Sequence, residues 1–227
     1  MPHFDIVRES AVEKSFRVAS VIGAFDIESN KIKERFSGEI PIENMEWNIG
    51  VIFGASGTGK STIARELFPA NYIQGFDYGE NSILDDMPEG LDVRIISRTF
   101  AEVGFASPPS WLKPYSVLST GEKMRVDLAR AILEGNELIV FDEFTSVVNR
   151  EVACVGSYAI QKAIRRMKKR FIAVSCHDDI LKWLEPDWVF DTNVMQFKKK
   201  DSDAPKSFAR FGKSRGNIGK SLGSITI

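Results

Sequence analysis

Apolar residues recur along this chain in two rhythms, a period of two and a period near 3.6, and the switches between them predict its elements. β-prone residues alternate from Phe16 to Ile22, which predicts a strand running into Gly23, Ala24 and Phe25. A second extended run covers Arg35 to Ile42, and a third, more apolar one covers Trp47 to Phe53. A helix is expected from about Lys60 toward Phe68, where Pro69 stops it. Val93 to Val103 has helical character, and Ala106-Ser107-Pro108-Pro109-Ser110 reads as a loop. The next helix covers Gly121 to Leu133, with Gly135 as its terminator. Glu137 to Phe141 is a short buried strand that ends in two carboxylates. A long helix over Glu151 to Lys169, a strand over Phe171 to Cys176, a short helix over Ile180 to Leu184 and a last strand over Trp188 to Asp191 complete the pattern.

Strands alternating with helices indicate an α/β fold with a parallel sheet covered on both faces. The rhythm fades after Phe197. Residues 198–227 are basic and rich in Gly and Ser, and no acid follows Asp203, so a flexible tail is expected there, after a folded domain over residues 1–197. The chain has 227 residues, 43% hydrophobic and 27% charged, with a formal net charge of −1. That balance belongs to a globular domain and gives no chain-wide field for nucleic acid or membrane. The two cysteines, Cys154 and Cys176, share no metal-ligand spacing and fit a reducing, cytoplasmic setting. No apolar run approaches the ~20 residues of a membrane span, and the N-terminus does not read as a secretory leader.

Two segments carry chemistry. Gly54-Ala55-Ser56-Gly57-Thr58-Gly59-Lys60-Ser61 fits G-x-x-x-x-G-K-[ST] in full. The glycines let the backbone aim N–H groups at nucleotide phosphates, and the following helix adds its dipole. Ser56 lies in the loop. Lys60 reaches the β- and γ-phosphates, the Ser61 hydroxyl binds Mg²⁺, and Thr62 is a further hydroxyl for the phosphates. Leu138-Ile139-Val140-Phe141-Asp142-Glu143 sets two acids directly after an apolar strand. Ligands of open parallel sheets bind at such strand ends. Asp142 is expected to hold Mg²⁺ and Glu143 to act as the general base toward water.

Phosphate loops serve many enzymes, and a third segment narrows the choice. Leu118-Ser119-Thr120-Gly121-Glu122, continuing through Lys123 to Leu133, resembles the signature of ABC-type ATPases, with Thr120 and Glu122 in place of a glycine and a glutamine. Asp142 to Asn149 resembles the Walker B motif running into the D-loop, with Phe144 where proline is usual and Asn149 where aspartate is usual. Ala173 to Asp178 resembles the strand and switch histidine, here His177. Pro114 to Ser119, Phe141 to Val148 and Ser175-Cys176-His177 are most similar to stand-alone ABC ATPases of bacteria and phages, some of them fused to a GNAT-type acetyltransferase.

The resemblance implies a P-loop ABC-ATPase fold with an N-terminal antiparallel β subdomain and a reduced helical subdomain over about residues 76–134. It implies ATP and Mg²⁺ as ligands and an ATP-dependent homodimer in which Ser119 and Gly121 of one copy touch the γ-phosphate held by the other. His177 joins Lys60 and Glu143 as a catalytic residue. Phe25 takes the place of the aromatic that stacks on adenine, with Phe16 as a competing choice and a core phenylalanine as the plain alternative. The interval from Ser61 to Val117 is short for a transporter cassette, and its one glutamine, Gln74, lies so near the phosphate loop that no glutamine-loop residue is assigned. A soluble ATPase acting on a protein or nucleic-acid partner is therefore expected. The alternatives are an energy subunit serving separate membrane proteins and a small-molecule kinase. Lys206, Arg210, Lys213, Arg215 and Lys220, with Phe208 and Phe211, could touch nucleic acid or simply form a soluble basic tail.

Overall fold

The structure, a computed structural model, describes residues 3–10, 15–25 and 32–200. The expected contacts of the tail with a partner therefore lie outside the described residues.

Strands β1 (His3–Ser10) and β2 (Ile32–Glu39) pair antiparallel from His3↔Glu39 to Ser10↔Ile32. Between them lies α1 (Phe16–Phe25). This corrects the strand expected over Phe16 to Ile22. Val18, Val21 and Ile22 mimic a β pattern, but the Ser15 hydroxyl accepts a hydrogen bond from the Val18 N–H at 3.3 Å, as a helix N-cap does.

The remaining strands are β3 (Ile49–Phe53), β4 (Tyr72–Ile73), β5 (Leu138–Phe141), β6 (Arg170–Ser175), β7 (Trp188–Asp191) and β8 (Gln196–Lys199). They form one sheet in the order β4-β5-β6-β3-β7-β8, parallel throughout except for β8, which runs antiparallel to β7. The composition change at Lys198 falls inside β8, so the sheet continues two residues beyond the expected domain end.

The helices are α2 (Lys60–Leu67), α3 (Val93–Glu102), α4 (Pro108–Trp111), α5 (Thr120–Leu133), α6 (Arg150–Met167) and α7 (Ile180–Leu184). α4 replaces part of the loop expected at 106–110. Pro108 and Pro109 are compatible with a helix there because they occupy its first turn, where N–H groups have no helical acceptor. The Trp111 indole N–H then ties this turn to the Phe105 carbonyl at 2.9 Å.

Strand periodicity divides the core into two layers. Ile49, Val51 and Phe53, Ile139 and Phe141, and Phe171 and Ala173 point to one face, where α3, α5 and α6 cover them. Ile52, Val140, Ile172, Val174, Trp188 and Phe190 point to the other, against Ile63 and Ala64 of α2 and against Phe4 and Phe36 of the β1–β2 ribbon. The interior strands of the sheet are thus buried on both sides, which explains why β3 and β6 read as nearly continuous apolar runs. Gly50 pairs with Trp188, and a Cβ there would sit 2.0 Å from the indole. The absent side chain makes room for a fully buried tryptophan.

A polar cluster fastens α5 to the segment ahead of it. Tyr78 and Tyr115 stack at 3.9 Å, and their hydroxyls donate to the two oxygens of Asp127 at 2.7 and 2.8 Å. Burial pushes the Asp127 carboxyl above its ordinary range, against the lowering effect of those two bonds. The Arg130 guanidinium lies over both Phe76 and Tyr78 and donates to the Asp77 carbonyl at 2.8 Å.

Candidate functional site

The carboxyl ends of five parallel strands lie side by side, because Ile73 pairs with Phe141, Phe141 with Ala173, Ser175 with Phe53, and Phe53 with Asp191. The segments leaving these strands are therefore collected along one edge of the sheet. Gln74 leaves β4, Asp142 and Glu143 leave β5, and Cys176 and His177 leave β6. The phosphate loop leaves β3, and Thr192 and Asn193 leave β7.

The phosphate loop runs from Gly54, which is buried, through Ala55, Ser56 and Gly57, which are exposed. Gly59 ends it at φ 85° as the N-cap of α2, a left-handed conformation, and a Cβ there would meet the Phe36 ring at 2.6 Å. Phe36 is thus the aromatic that packs against the loop. Lys60 is buried and its ammonium donates to the Ala55 carbonyl at 2.7 Å, bridging the loop. Ser61 and Thr62 are half-buried on the first turn of α2.

The loop after β7 braces this turn from behind. The Thr58 and Thr192 hydroxyls lie 2.5 Å apart, Thr192 donates to the Phe53 carbonyl at 3.1 Å, and the Asn193 side chain accepts from the Ala55 N–H at 2.9 Å. Sequence reasoning missed both residues. Only the polar Asp191-Thr192-Asn193 run after an apolar strand could have signalled them.

Ser61 donates to one oxygen of Asp142 at 3.1 Å, and the Tyr72 hydroxyl donates to the other. Asp142 is buried, whereas Glu143 beside it is exposed and takes φ 51°. That left-handed turn lifts the Glu143 carboxylate out of the strand direction while Phe144, at the proline position of the resembled motif, drops into the core. Phe144 is fully buried between Phe141 and Phe171, at ring distances of 6.3 and 5.5 Å. His177 is half-buried and its main-chain N–H donates to the Ser175 hydroxyl at 3.2 Å. Arg150 clamps the loops after β5 and β6 together, donating to both Asp179 oxygens at 2.7 and 2.8 Å and to the Thr145 carbonyl.

Lys60, Ser61, Asp142, Glu143 and His177 are therefore brought to one edge. Ser119 and Gly121 are placed at the start of α5, and no hydrogen bond or ion pair joins them to the phosphate loop among the described residues. Ser119 is exposed and caps the helix. Its hydroxyl donates to Glu122 at 2.7 Å, its N–H donates to the same oxygen at 3.0 Å, and the Glu122 N–H donates back to the hydroxyl at 3.4 Å. These bonds hold the Glu122 carboxyl below its ordinary value. Gly121 packs closely on α6, where a Cβ would lie 2.8 Å from a Val152 methyl.

Phe25 is not brought to the site by any packing on the core. It ends α1, which buries none of its residues, and Phe25 and Phe16 are 74% and 88% exposed. The core-phenylalanine alternative fails for both.

Gln74, to which sequence spacing assigned no role, follows β4 at the same sheet edge. The Asp142 N–H donates to the Ile73 carbonyl at 2.9 Å, so the chain leaves β4 with Gln74 directly beside the β5 carboxylates. A two-residue strand is too short to read from periodicity, and its pairing with β5 was invisible.

Hard oxygen donors from a hydroxyl and one carboxylate suit Mg²⁺, which takes few protein ligands and completes its shell with water and phosphate oxygens. Among the described residues no cluster of three or more His, Cys, Asp or Glu forms an all-protein metal cage. Ser61 and Asp142 fit the Mg²⁺ expected with a bound triphosphate. Among the described residues no helix is long and apolar enough to cross a membrane.

No family model matches the chain. It is 28% identical over 180 residues to the mRNA export factor elf1 of Schizosaccharomyces pombe, a match that covers 75% of this chain and 15% of that protein's length. Among solved structures, it resembles a dimeric ATP-binding cassette bound to ADP and Pi, with a TM-score of 0.59 and 14% identity, covering 86% of this chain and 98% of that one. It also resembles cbiO1 of Clostridium perfringens, part of an ABC transporter complex, with a TM-score of 0.54 and 15% identity over 71% and 76% of the two chains. A bacterial Atm1-family ABC exporter with ATP bound gives a TM-score of 0.53 at 17% identity, over 71% of this chain and 34% of the exporter. Identities this low carry the fold alone. The chain thus has the P-loop fold of ABC ATPase nucleotide-binding domains.

Proposed function

We propose that this chain binds ATP with Mg²⁺ and hydrolyses it, and that two copies close around two ATP molecules to move a protein or nucleic-acid partner. The observation that carries the reading is the convergence of Lys60, Ser61, Asp142, Glu143 and His177 at adjacent parallel strand ends, with Ser61 already 3.1 Å from Asp142.

Phosphate entry exchanges the Lys60–Ala55 bond for a charge-assisted bond to the β- and γ-oxygens. Gly54, Ser56, Gly57 and Gly59 leave room for the loop N–H groups to face the phosphates, and Ser61 and Thr62 add hydroxyls beneath them. Ser61 and Asp142 would hold Mg²⁺, which would supply charge neutralisation to the phosphates. Glu143, exposed next to buried Asp142, can accept the proton of an attacking water, and His177 and Gln74 stand on either side of it in the strand order. The exposed Ser119 at the start of α5, with Gly121, would meet the γ-phosphate held by a second copy. Phe25, on an exposed helix, remains free to reach adenine.

The alternative of an energy subunit for separate membrane proteins is favoured by the transporter origin of the similar structures. The short interval between Ser61 and Val117 favours the non-transport reading. The test is direct. Lys60→Ala should lose roughly 10- to 100-fold in affinity for a fluorescent ATP analogue, the value of one or two charge-assisted bonds. Glu143→Gln should keep that affinity and lose about 10²- to 10⁴-fold in turnover, measured by phosphate release. Unchanged turnover in Glu143→Gln sinks the assignment of the base. Co-purification of Glu143→Gln with ATP then separates an integral membrane protein from a soluble partner.

A further inference from the structure

Asp142 is held by β4 at two points. Its N–H donates to the Ile73 carbonyl at 2.9 Å, and one carboxylate oxygen accepts the hydroxyl of the preceding residue, Tyr72. The other carboxylate oxygen accepts Ser61. Tyr72 is in turn held by α2, because the Arg65 guanidinium lies 5.0 Å from the centre of its ring and reaches its hydroxyl at 3.5 Å. Ser61 and Arg65 are four residues apart on α2 and so share a face. The result is a closed ring of contacts: Ser61, Asp142, Tyr72 and Arg65, returning along α2.

We propose that Tyr72 is a positioning residue for the magnesium-binding carboxylate, fixing Asp142 so that its Ser61-facing oxygen stays aimed at the metal. This rests on the reading of Ser61 and Asp142 as the Mg²⁺ site. A carboxylate at a strand end can rotate about two side-chain torsions, and each orientation that turns it away from the ion lowers its affinity. A carboxylate has about four lone-pair positions. Occupying one with Tyr72 leaves the opposite oxygen able to accept a metal-bound water when Ser61 turns from Asp142 to the ion. Partners of this kind, which bond to a metal-binding carboxylate without touching the metal, are worth roughly 10- to 100-fold in metal affinity. Sequence spacing gives no hint of the role, since Tyr72 and Asp142 meet only because β4 pairs with β5.

The variant Tyr72→Phe keeps the ring, its place against the core and the Arg65 guanidinium over that ring, and removes the hydroxyl with its bonds to Asp142 and Arg65. The measurement is binding of a fluorescent ATP analogue to the full chain, first in EDTA and then across a Mg²⁺ titration. The expected result is a Mg²⁺ midpoint raised roughly 10-fold or more, with affinity in EDTA within about twofold of the parent. A change confined to folding would weaken both measurements together. An unchanged midpoint, or an equal loss with and without Mg²⁺, overturns the role of Tyr72. If the parent chain itself binds no nucleotide, or binds it with no response to Mg²⁺, the fault lies in the nucleotide reading instead.

Discussion

At the scale of single residues, Glu122 shows how a substitution within a familiar motif acquires a local purpose. In place of an amide it offers a carboxylate that accepts the Ser119 hydroxyl, the Ser119 N–H and the Ser110 hydroxyl. Its carboxyl is held below the ordinary value of 4.5, chiefly by the Ser119 hydroxyl. The unfolded chain therefore binds more protons than the folded one between that lowered value and 4.5. The stabilisation is complete above this window and is lost as pH falls through the folded value. Urea melts across that pH range should show a positive slope of stability with pH that is reduced in Glu122→Gln. Asp127 works in the opposite sense, since its raised carboxyl contributes stability that fades as pH rises through its folded value. Comparing the variant with its parent cancels Asp127 and isolates Glu122. An identical slope in both proteins removes the carboxylate cap from the account.

At the scale of elements, glycines permit close approach. Gly50 lets Trp188 lie flat on the neighbouring strand, and Gly121 lets α5 approach Val152 of α6. Alanine at 121 gains helix propensity, up to about 1 kcal/mol relative to glycine. It also drives a methyl to 2.8 Å from a β-branched side chain with little rotamer freedom. Overpacking of this kind costs about 1–3 kcal/mol, so the clash wins. Gly121→Ala should be destabilised on chemical denaturation, and the same change in a Val152→Ala background should be neutral or stabilising. A penalty that persists without the valine would locate the constraint elsewhere. The end of α5 was readable from sequence because Gly135 is a local signal. The identity of α1 was not, because β-branched residues suggested a strand where the Ser15 cap starts a helix.

At the scale of the whole molecule, the proposed function divides the site between two copies. The phosphate loop and its carboxylates sit at strand ends, while the exposed start of α5 makes no hydrogen bond to them among the described residues. A nucleotide held between copies acts as interface material and stabilises the pair by mass action. Glu143→Gln with ATP and Mg²⁺ should double its mass in light scattering, and adding Ser119→Arg should return it to a monomer. A monomer at high concentration in the presence of ATP would end the two-copy reading.

Contiguous residues were sufficient to mark the phosphate-loop sequence and the Asp142-Glu143 pair after an apolar strand, because each depends on local backbone geometry and neighbouring side chains. The parallel sheet and its two buried faces also came from sequence, since strand periodicity and apolar content report burial. Strand order did not. Period-two alternation is the same whichever strand lies alongside, so the chain could not announce that β4 would pair with β5 or β7 with β3. Those pairings alone set Gln74 and Tyr72 beside Asp142, and Thr192 and Asn193 behind the phosphate loop. Hydrogen bonds between segments far apart in the chain exist only after folding, and it was tertiary structure that decided which side chains share this site.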